Sequence, residues 1–331
     1  MRRIALFIAL LTTSTLTIKA QDNRMFNHLD LGVTLGTTGI GIDATMPVCD
    51  IVKLRTGFEV MPRFNHDMHF DVQSFDDKGI VTDASFKQMS NLLYGMTGFK
   101  VDDNVIMQGK PTMWNFKLLV DIYPLKNNKH WRVTAGFHWG PSKIAEAVNA
   151  IEDSPSLFAV GMYNHLYDVA YKDWVLDIPT PIIDTETTGA VYLDPVMEQK
   201  LLDFGRMGIP VGKYARDYTD AKGVTHQKGD PYYMDPDENS MVRAKARANS
   251  FKPYLGIGYE GRLIKGNDSY HVGFDAGLMF WGGTPSIITH EGVNLSKDVE
   301  DIHGKVGSYV DLVKGFKVFP VLNLRITRRI F

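Results

Sequence analysis

The chain has 331 residues, 44% of them hydrophobic and 22% charged, with a formal net charge of −2 and one cysteine, Cys49. That near-neutral balance gives no footing for nucleic acid or for an anionic lipid surface. A single cysteine excludes an intramolecular disulfide, so the fold must be held by hydrogen-bond ladders and packing alone.

Arg2 and Arg3, the apolar run from Ile4 to Leu11 and the small-residue ending at Ala20 predict a secretory signal peptide over residues 1–20. The run is well short of the roughly 20 apolar residues of a spanning helix. Cleavage before Gln21 would take the formal charge to about −5, since Arg2, Arg3 and Lys19 leave with the signal.

Strict alternation then begins. Leu29, Leu31, Val33 and Leu35 alternate with Asp30, Gly32 and Thr34, the period-2 pattern of a strand. After Gly36-Thr37-Thr38-Gly39 the apolar set moves to Ile40, Ile42, Ala44 and Met46, a change of phase that needs a turn or a bulge. Past Pro47 to Asp50, Val52, Leu54, Phe58 and Val60 alternate with Lys53, Arg55, Gly57 and Glu59. From Arg63 to Pro111 the pattern breaks up and predicts a long loop, holding one short helix signalled by Ser85 with Gln88 ahead of Met89 and Leu93 and stopped at Gly95. Trp114 to Ile122 and Trp131 to Trp139 resume the alternation across a tight connection at Pro124 to Lys129.

Residues 141–250 form a large insertion. Asp194 as N-cap, Pro195 at the first helical position and Gly205 past the end frame one helix there. Asp153 to Trp174 has a looser helical pattern, and Tyr218 to Glu238 reads as exposed loop. A long hairpin follows, FKPYLGIGYEGRLIKGNDSYHVGFDAGLMFWGG from Phe251 to Gly283, with its turn at Lys265 to Asp268. Residues 296–314 predict an amphipathic helix on Val299, Ile302, Val306, Tyr309, Val310 and Val313. The last strand, VFPVLNLRITRRIF, ends in Phe331 at the carboxylate.

Long and short connections alternate along this order, as they do in an antiparallel transmembrane β-barrel, here of about eight strands, or ten if a further hairpin lies at Ser286 to Thr289. With apolar faces turned to lipid, the lumen would carry Asp30, Asp43, Glu59, Asp121, Glu260 and Asp275 against Lys53, Arg55, Lys117, Arg132, Lys252 and Arg325. An eight-stranded interior is just wide enough to be filled by side chains, so these twelve predict a paired, plugging network. Trp114, Trp131, Trp139, Tyr270 and Phe280 fall near strand ends, where interfacial girdles belong. The alternative is a soluble β-sandwich, in which a second sheet covers those faces.

Catalytic, cofactor and metal signals are weak. His66, Asp67, His69 and Asp71 are ligand-capable residues best explained as polar loop, His165 and Asp168 are too few for a site, and Gly-x-Gly pairs such as Gly256 to Gly258 lie inside strands and open no helix. Ser142, Ser154 and Ser156 lack the context of an activated nucleophile. The expectation is therefore a non-enzymatic envelope protein with no cofactor and loops for structural or binding work. A narrow channel for a small solute, lined by Lys53, Arg55, Arg132 and Asp121, is the alternative.

GTTGIGID at Gly36 to Asp43, LLVDIYPL at Leu118 to Leu125, WRVTAGFHWG at Trp131 to Gly140, PYLGIGYEG at Pro253 to Gly261, FDAGLMFWGGTP at Phe274 to Pro285 and the final strand together resemble a family of bacterial outer-membrane β-barrel proteins, in a Bacteroides-type style. The resemblance implies outer-membrane lipid around the barrel and assembly by the barrel-insertion machinery through the strand ending in Phe331. It brings no catalytic motif. The insertion and Arg329, where an aromatic or apolar residue is usual, depart from the family pattern.

Overall fold

A computed structural model describes residues 26–330 apart from 77–78, 81–82, 126–127, 188, 221–222 and 303. The predicted signal peptide and Phe331 lie outside the described residues.

Eight antiparallel strands close into a barrel: β1 (Asp30–Gly36), β2 (Gly39–Cys49), β3 (Val52–Val60), β4 (Trp114–Ile122), β5 (Trp131–Trp139), β6 (Phe251–Ile264), β7 (Asn267–Phe280) and β8 (Val318–Arg329). Each pairs with its neighbour in sequence, and β8 closes on β1, with Val33 opposite Ile326. The phase change at Thr37-Thr38 is a two-residue hairpin turn, with Gly36 facing Gly39. It is tied to β8, because the Thr37 hydroxyl donates to Pro320 O at 2.9 Å and accepts from Leu322 N at 3.0 Å. The lumen has no edge strand to protect.

Burial is inverted relative to a soluble domain. Leu31, Val33, Leu35, Ile40, Ile257, Leu324 and Ile326 are exposed on the outer surface, and Ile42 reaches 66% exposure. Aromatics collect at both rims. Trp114 packs on Phe58 and Trp139 at the mouth bearing the long connections, while Trp131 packs on Tyr259 at the opposite rim, where Arg328 lies over the Tyr270 ring. Aromatic rims bounding an apolar belt are the signature of a bilayer-spanning barrel.

Five barrel strands continue above that mouth. His66–Asp71, Asn104–Pro111, Lys143–Asn149, Arg243–Arg247 and Ser286–Thr289 extend β3, β4, β5, β6 and β7 and pair in the same order as an open sheet. A second sheet is built on Arg206–Tyr214, which pairs with Gln73–Asp76, Pro231–Met234 and Val299–Glu300. Helices α1 (Asp83–Thr97), α2 (Ser154–Leu176), α3 (Pro195–Phe204) and α4 (Gly304–Gly315) complete an outer domain. Its apolar core includes Phe70, Met89, Leu93, Val105, Leu157, Val160, Met207, Ile209 and Val310.

Several boundaries differ from the sequence reading. The span from Arg63 to Pro111 is not a loop but strands and a helix, because His66–Asp71 and Asn104–Pro111 carry the ladder upward from β3 and β4. Helix α1 runs through Gly95 to Thr97, and Gly98, at φ +73° with its N–H on Tyr94 O at 2.9 Å, ends it. Residues 296–302 are not helical. Side chains of Asn294 and Asp298 bond the local backbone, Ser296 N to Asn294 Oδ1 and Asn294 N to Asp298 Oδ2, both at 3.0 Å, which holds a turn in place of helix. Val299 then joins the second sheet opposite Tyr214. Within Tyr218 to Glu238, Tyr232 and Met234 are buried on a strand and not in exposed loop. The α3 frame stands as read: Asp194 Oδ1 accepts from Val196 N at 2.9 Å, and Gly205 follows the last turn.

Candidate functional site: a charge-filled lumen

Because side chains alternate across each strand, the polar half of every barrel strand points inward. All twelve of the acidic and basic residues read from the alternation occupy the interior. Asp30, Asp43, Glu59, Lys117, Asp121, Asp275 and Arg325 are buried, as are Arg55 and Arg132 at 1% exposure and Lys252 at 0%. Lys53 and Glu260 sit lower, half-buried toward the short-turn rim.

The centre is a cross-barrel pair. Arg55 on β3 donates to Asp275 on β7, four strands away, at 2.7 Å, and to Asp121 on the adjacent β4 at 2.8 Å. Arg132 on β5 donates to the same Asp275 at 2.8 Å and to Glu260 at 3.1 Å. Arg325 on β8 reaches Asp43 on β2 at 2.6 Å, and Lys117 on β4 lies 3.5 Å from Asp43 and 3.4 Å from Glu59. Lys53 bridges Glu260 at 3.6 Å and Asp30 at 3.9 Å. Buried charges are tolerated when paired in good geometry, and guanidinium forks supply it for Asp43, Asp121 and Asp275.

Three of the pairs that reach across one intervening strand pass over a glycine on it. A Cβ on Gly258 of β6 would lie 2.8 Å from Arg132 Nε and 2.7 Å from Asp275 Oδ1. One on Gly32 of β1 would lie 2.6 Å from Asp43 Oδ1 and 3.1 Å from Arg325 Nε, and one on Gly57 of β3 would lie 2.9 Å from Lys117 Cε. The glycines on the inward face are the floor over which the long side chains cross.

Polar residues outside the predicted twelve extend the network. His138 Nδ1 lies 2.9 Å from Glu59 Oε1, an obligate acceptor, so Nδ1 carries the hydrogen. Thr134 donates to Asp121 at 2.6 Å, Thr38 to Glu59 at 3.1 Å, and Lys252 finds Asn115 Oδ1 at 3.2 Å. Arg329, which fits poorly as a C-terminal aromatic, is an inward residue 3.4 Å from Asp30. Its signal was available in the alternation Arg325, Thr327, Arg329.

Little space remains. The cavity beside Arg55, Lys117, His138, Tyr254 and Asn323 measures about 10 Å3, room for a single water. Apolar residues pack among the charges: Leu119, Tyr254, Met279 and Val321 cluster with Met113, Ile144 and Trp281, while Lys117, His138 and Lys252 lie nearer the long-loop mouth than Leu119 and Tyr254.

Other candidate ligands do not converge. His66 and His69 sit on opposite faces of one strand, with His69 Nδ1 3.1 Å from Asn104 Oδ1. Asp168 is taken up by Arg206. Among the described residues, no three or more His, Cys, Asp or Glu group as a metal site.

A closed antiparallel barrel, an apolar belt with aromatic rims and an ion-paired interior define a membrane-spanning β-barrel of the outer-membrane kind. No family model matches the chain, and no curated protein is similar to it. Among solved structures, the chain is similar to CarO2 of Acinetobacter baumannii, at 12% identity and a TM-score of 0.37, over 93% of this chain and 100% of that one. CarO of Acinetobacter baumannii is similar at 13% identity and a TM-score of 0.36, over 93% and 99%. Likeness at that level says nothing of what this chain does.

Proposed function

We propose that the chain is a non-enzymatic integral protein of the outer membrane, whose barrel anchors a surface domain for binding or structural work and whose lumen is sealed. The observation that carries this is the Arg55, Asp121, Asp275 and Arg132 cluster, which crosses the barrel from β3 to β7 and leaves room for about one water beside it. On this reading residues 1–20 direct export, lipid surrounds the belt, and the C-terminal residues 318–331 are presented to the barrel-insertion machinery.

Single-channel recording in planar bilayers tests the seal. No conductance steps are expected, and a reproducible stepwise current would overturn it. Migration on a gel before and after boiling tests the barrel in the same preparation, and a panel of ester substrates tests the absence of hydrolase activity. One observation favours the narrow-channel reading: Lys53 and Glu260 are partly exposed, so water enters from the short-turn rim. Passage would then require the Arg55 to Asp275 bridge to open.

A further inference from the structure

Helix α2 outruns the core it packs on. Its first half buries Leu157, Val160 and Tyr163, and the Tyr163 hydroxyl donates to Gly205 O at 2.5 Å. Its last turn carries Trp174 and Leu176 into solvent, with Trp174 63% exposed, and Ile178 just beyond is 62% exposed. The chain folds back there, as Thr180 N donates to Asp173 Oδ1 at 2.7 Å, and forms a two-stranded ribbon, Ile183–Thr185 with Gly189–Val191. The ribbon joins neither sheet of the outer domain, and the exposed Ile183 and Val191 stand directly opposite on it. Val196 of α3, which packs on α2, adds a further apolar side chain at 64% exposure.

A two-stranded ribbon alone is marginal in water, and exposed apolar side chains clustered on one tip differ from the single ones any surface carries. Charge says what covers this tip. Residues 173–199 contain Asp173, Asp177, Asp184, Glu186, Asp194 and Glu198 and no Lys, Arg or His. An apolar centre whose surround is net acidic, six carboxylates bordered by the exposed Lys172 and Lys200, repels anionic lipid headgroups, and a second copy of the chain would bring like charge against like.

We propose that the tip formed by the end of α2, the ribbon and the start of α3 is the docking surface for a protein partner whose contact face is apolar with a cationic rim. The inference rests on the reading of the outer domain as a binding domain and names where that binding occurs.

The test uses the full chain in zwitterionic nanodiscs, with empty nanodiscs as background. Three photoreactive amphipathic helical peptides share one apolar face and carry Lys, Gln or Glu on the other. The Lys peptide is expected to bind at least tenfold more tightly than the Glu peptide, to weaken with added salt, and to crosslink within residues 173–199. Trp174→Ala with Ile178→Ser, both at exposed positions, is expected to lower its affinity at least tenfold. Asp177→Asn with Asp184→Asn and Glu186→Gln is expected to remove most of the salt dependence. Equal binding of all three peptides, crosslinking elsewhere, capture of phosphatidylglycerol vesicles in place of peptide, or self-association lost in the Trp174 variant would each overturn the inference. Conductance is recorded on the same preparation. A current with intact peptide binding sinks the sealed-lumen reading alone, whereas a silent barrel without peptide binding sinks the docking surface alone.

Discussion

The barrel and the domain above it bury opposite halves of the same alphabet. In the barrel Leu31, Val33 and Ile42 face out and Arg55, Asp121 and Arg132 face in; in the outer domain Leu157, Met207 and Ile209 are inside and charges line the surface. Both follow one rule, that side chains go to the medium that solvates them best, applied to lipid on one side and water on the other. What differs is specificity. An apolar core tolerates many packings of similar volume, whereas an ion-paired lumen is intolerant of losing any one partner.

The sharpest way to break that contrast is to remove a partner. Arg55→Ala leaves Asp121 and Asp275 short of a cation, and a cost of roughly 3–5 kcal/mol is expected. The checking measurement is the temperature at which the folded gel band of the detergent-solubilised protein converts to the unfolded one. An unchanged temperature would mean that water, and not Arg55, solvates those carboxylates.

Next in size, Leu157→Ala opens a cavity in the outer core at a cost of roughly 2–4 kcal/mol. Limited proteolysis should then cut the outer domain sooner while the barrel band stays put. If both regions fail together, they form one cooperative unit and the comparison must be redrawn.

The barrel half of the molecule was legible in sequence and much of the outer half was not. Strands such as Phe251–Ile264, which alternates from Phe251 to Tyr259, separate two media, so their faces and all twelve inward charges could be read directly. Lys143–Asn149 and Asn104–Pro111 separate nothing so sharply; their burial is mixed, and the first slips register between Lys143 and Ala145 against its neighbour. His138 lay on the inward face but carries no fixed charge, so counting acids against bases passed over it.

Gly258→Ala probes the crossing points. The new methyl meets Arg132 and Asp275 at contact distances that force one of them to move, at about 1–3 kcal/mol. Loss of stability without any gain in conductance is expected, and a neutral result would show that the guanidinium has slack to spare.

The smallest effect lies in the outer domain. Glu291 accepts from the Tyr232 hydroxyl at 2.6 Å, and burial, with Asp235 nearby, pushes its carboxyl up to about 7. The folded domain therefore holds a proton there that the unfolded chain releases at lower pH. Stability falls as pH rises from the ordinary glutamate range to about 7, and is level above it. Glu291→Gln should flatten that slope and gain on the order of 1 kcal/mol at pH 8, read by urea denaturation at pH 5 and pH 8. A slope that survives the substitution assigns it to another group.

The closing seam between β8 and β1 has a bearing on how the molecule comes to exist. Arg325 and Arg329 on the last strand neutralise Asp43 and Asp30 on the first two. These partners are separated by almost the whole chain and cannot meet until its ends do. Until then Asp43 has only Lys117, Asp30 only Lys53 and Arg325 only Glu260, so the leading edge of the growing sheet lacks part of its countercharge and the trailing edge carries Arg329 in excess, a mutual attraction across an unsealed gap. Ring closure thus completes the charge cancellation, and a barrel left one strand short announces itself by its charge.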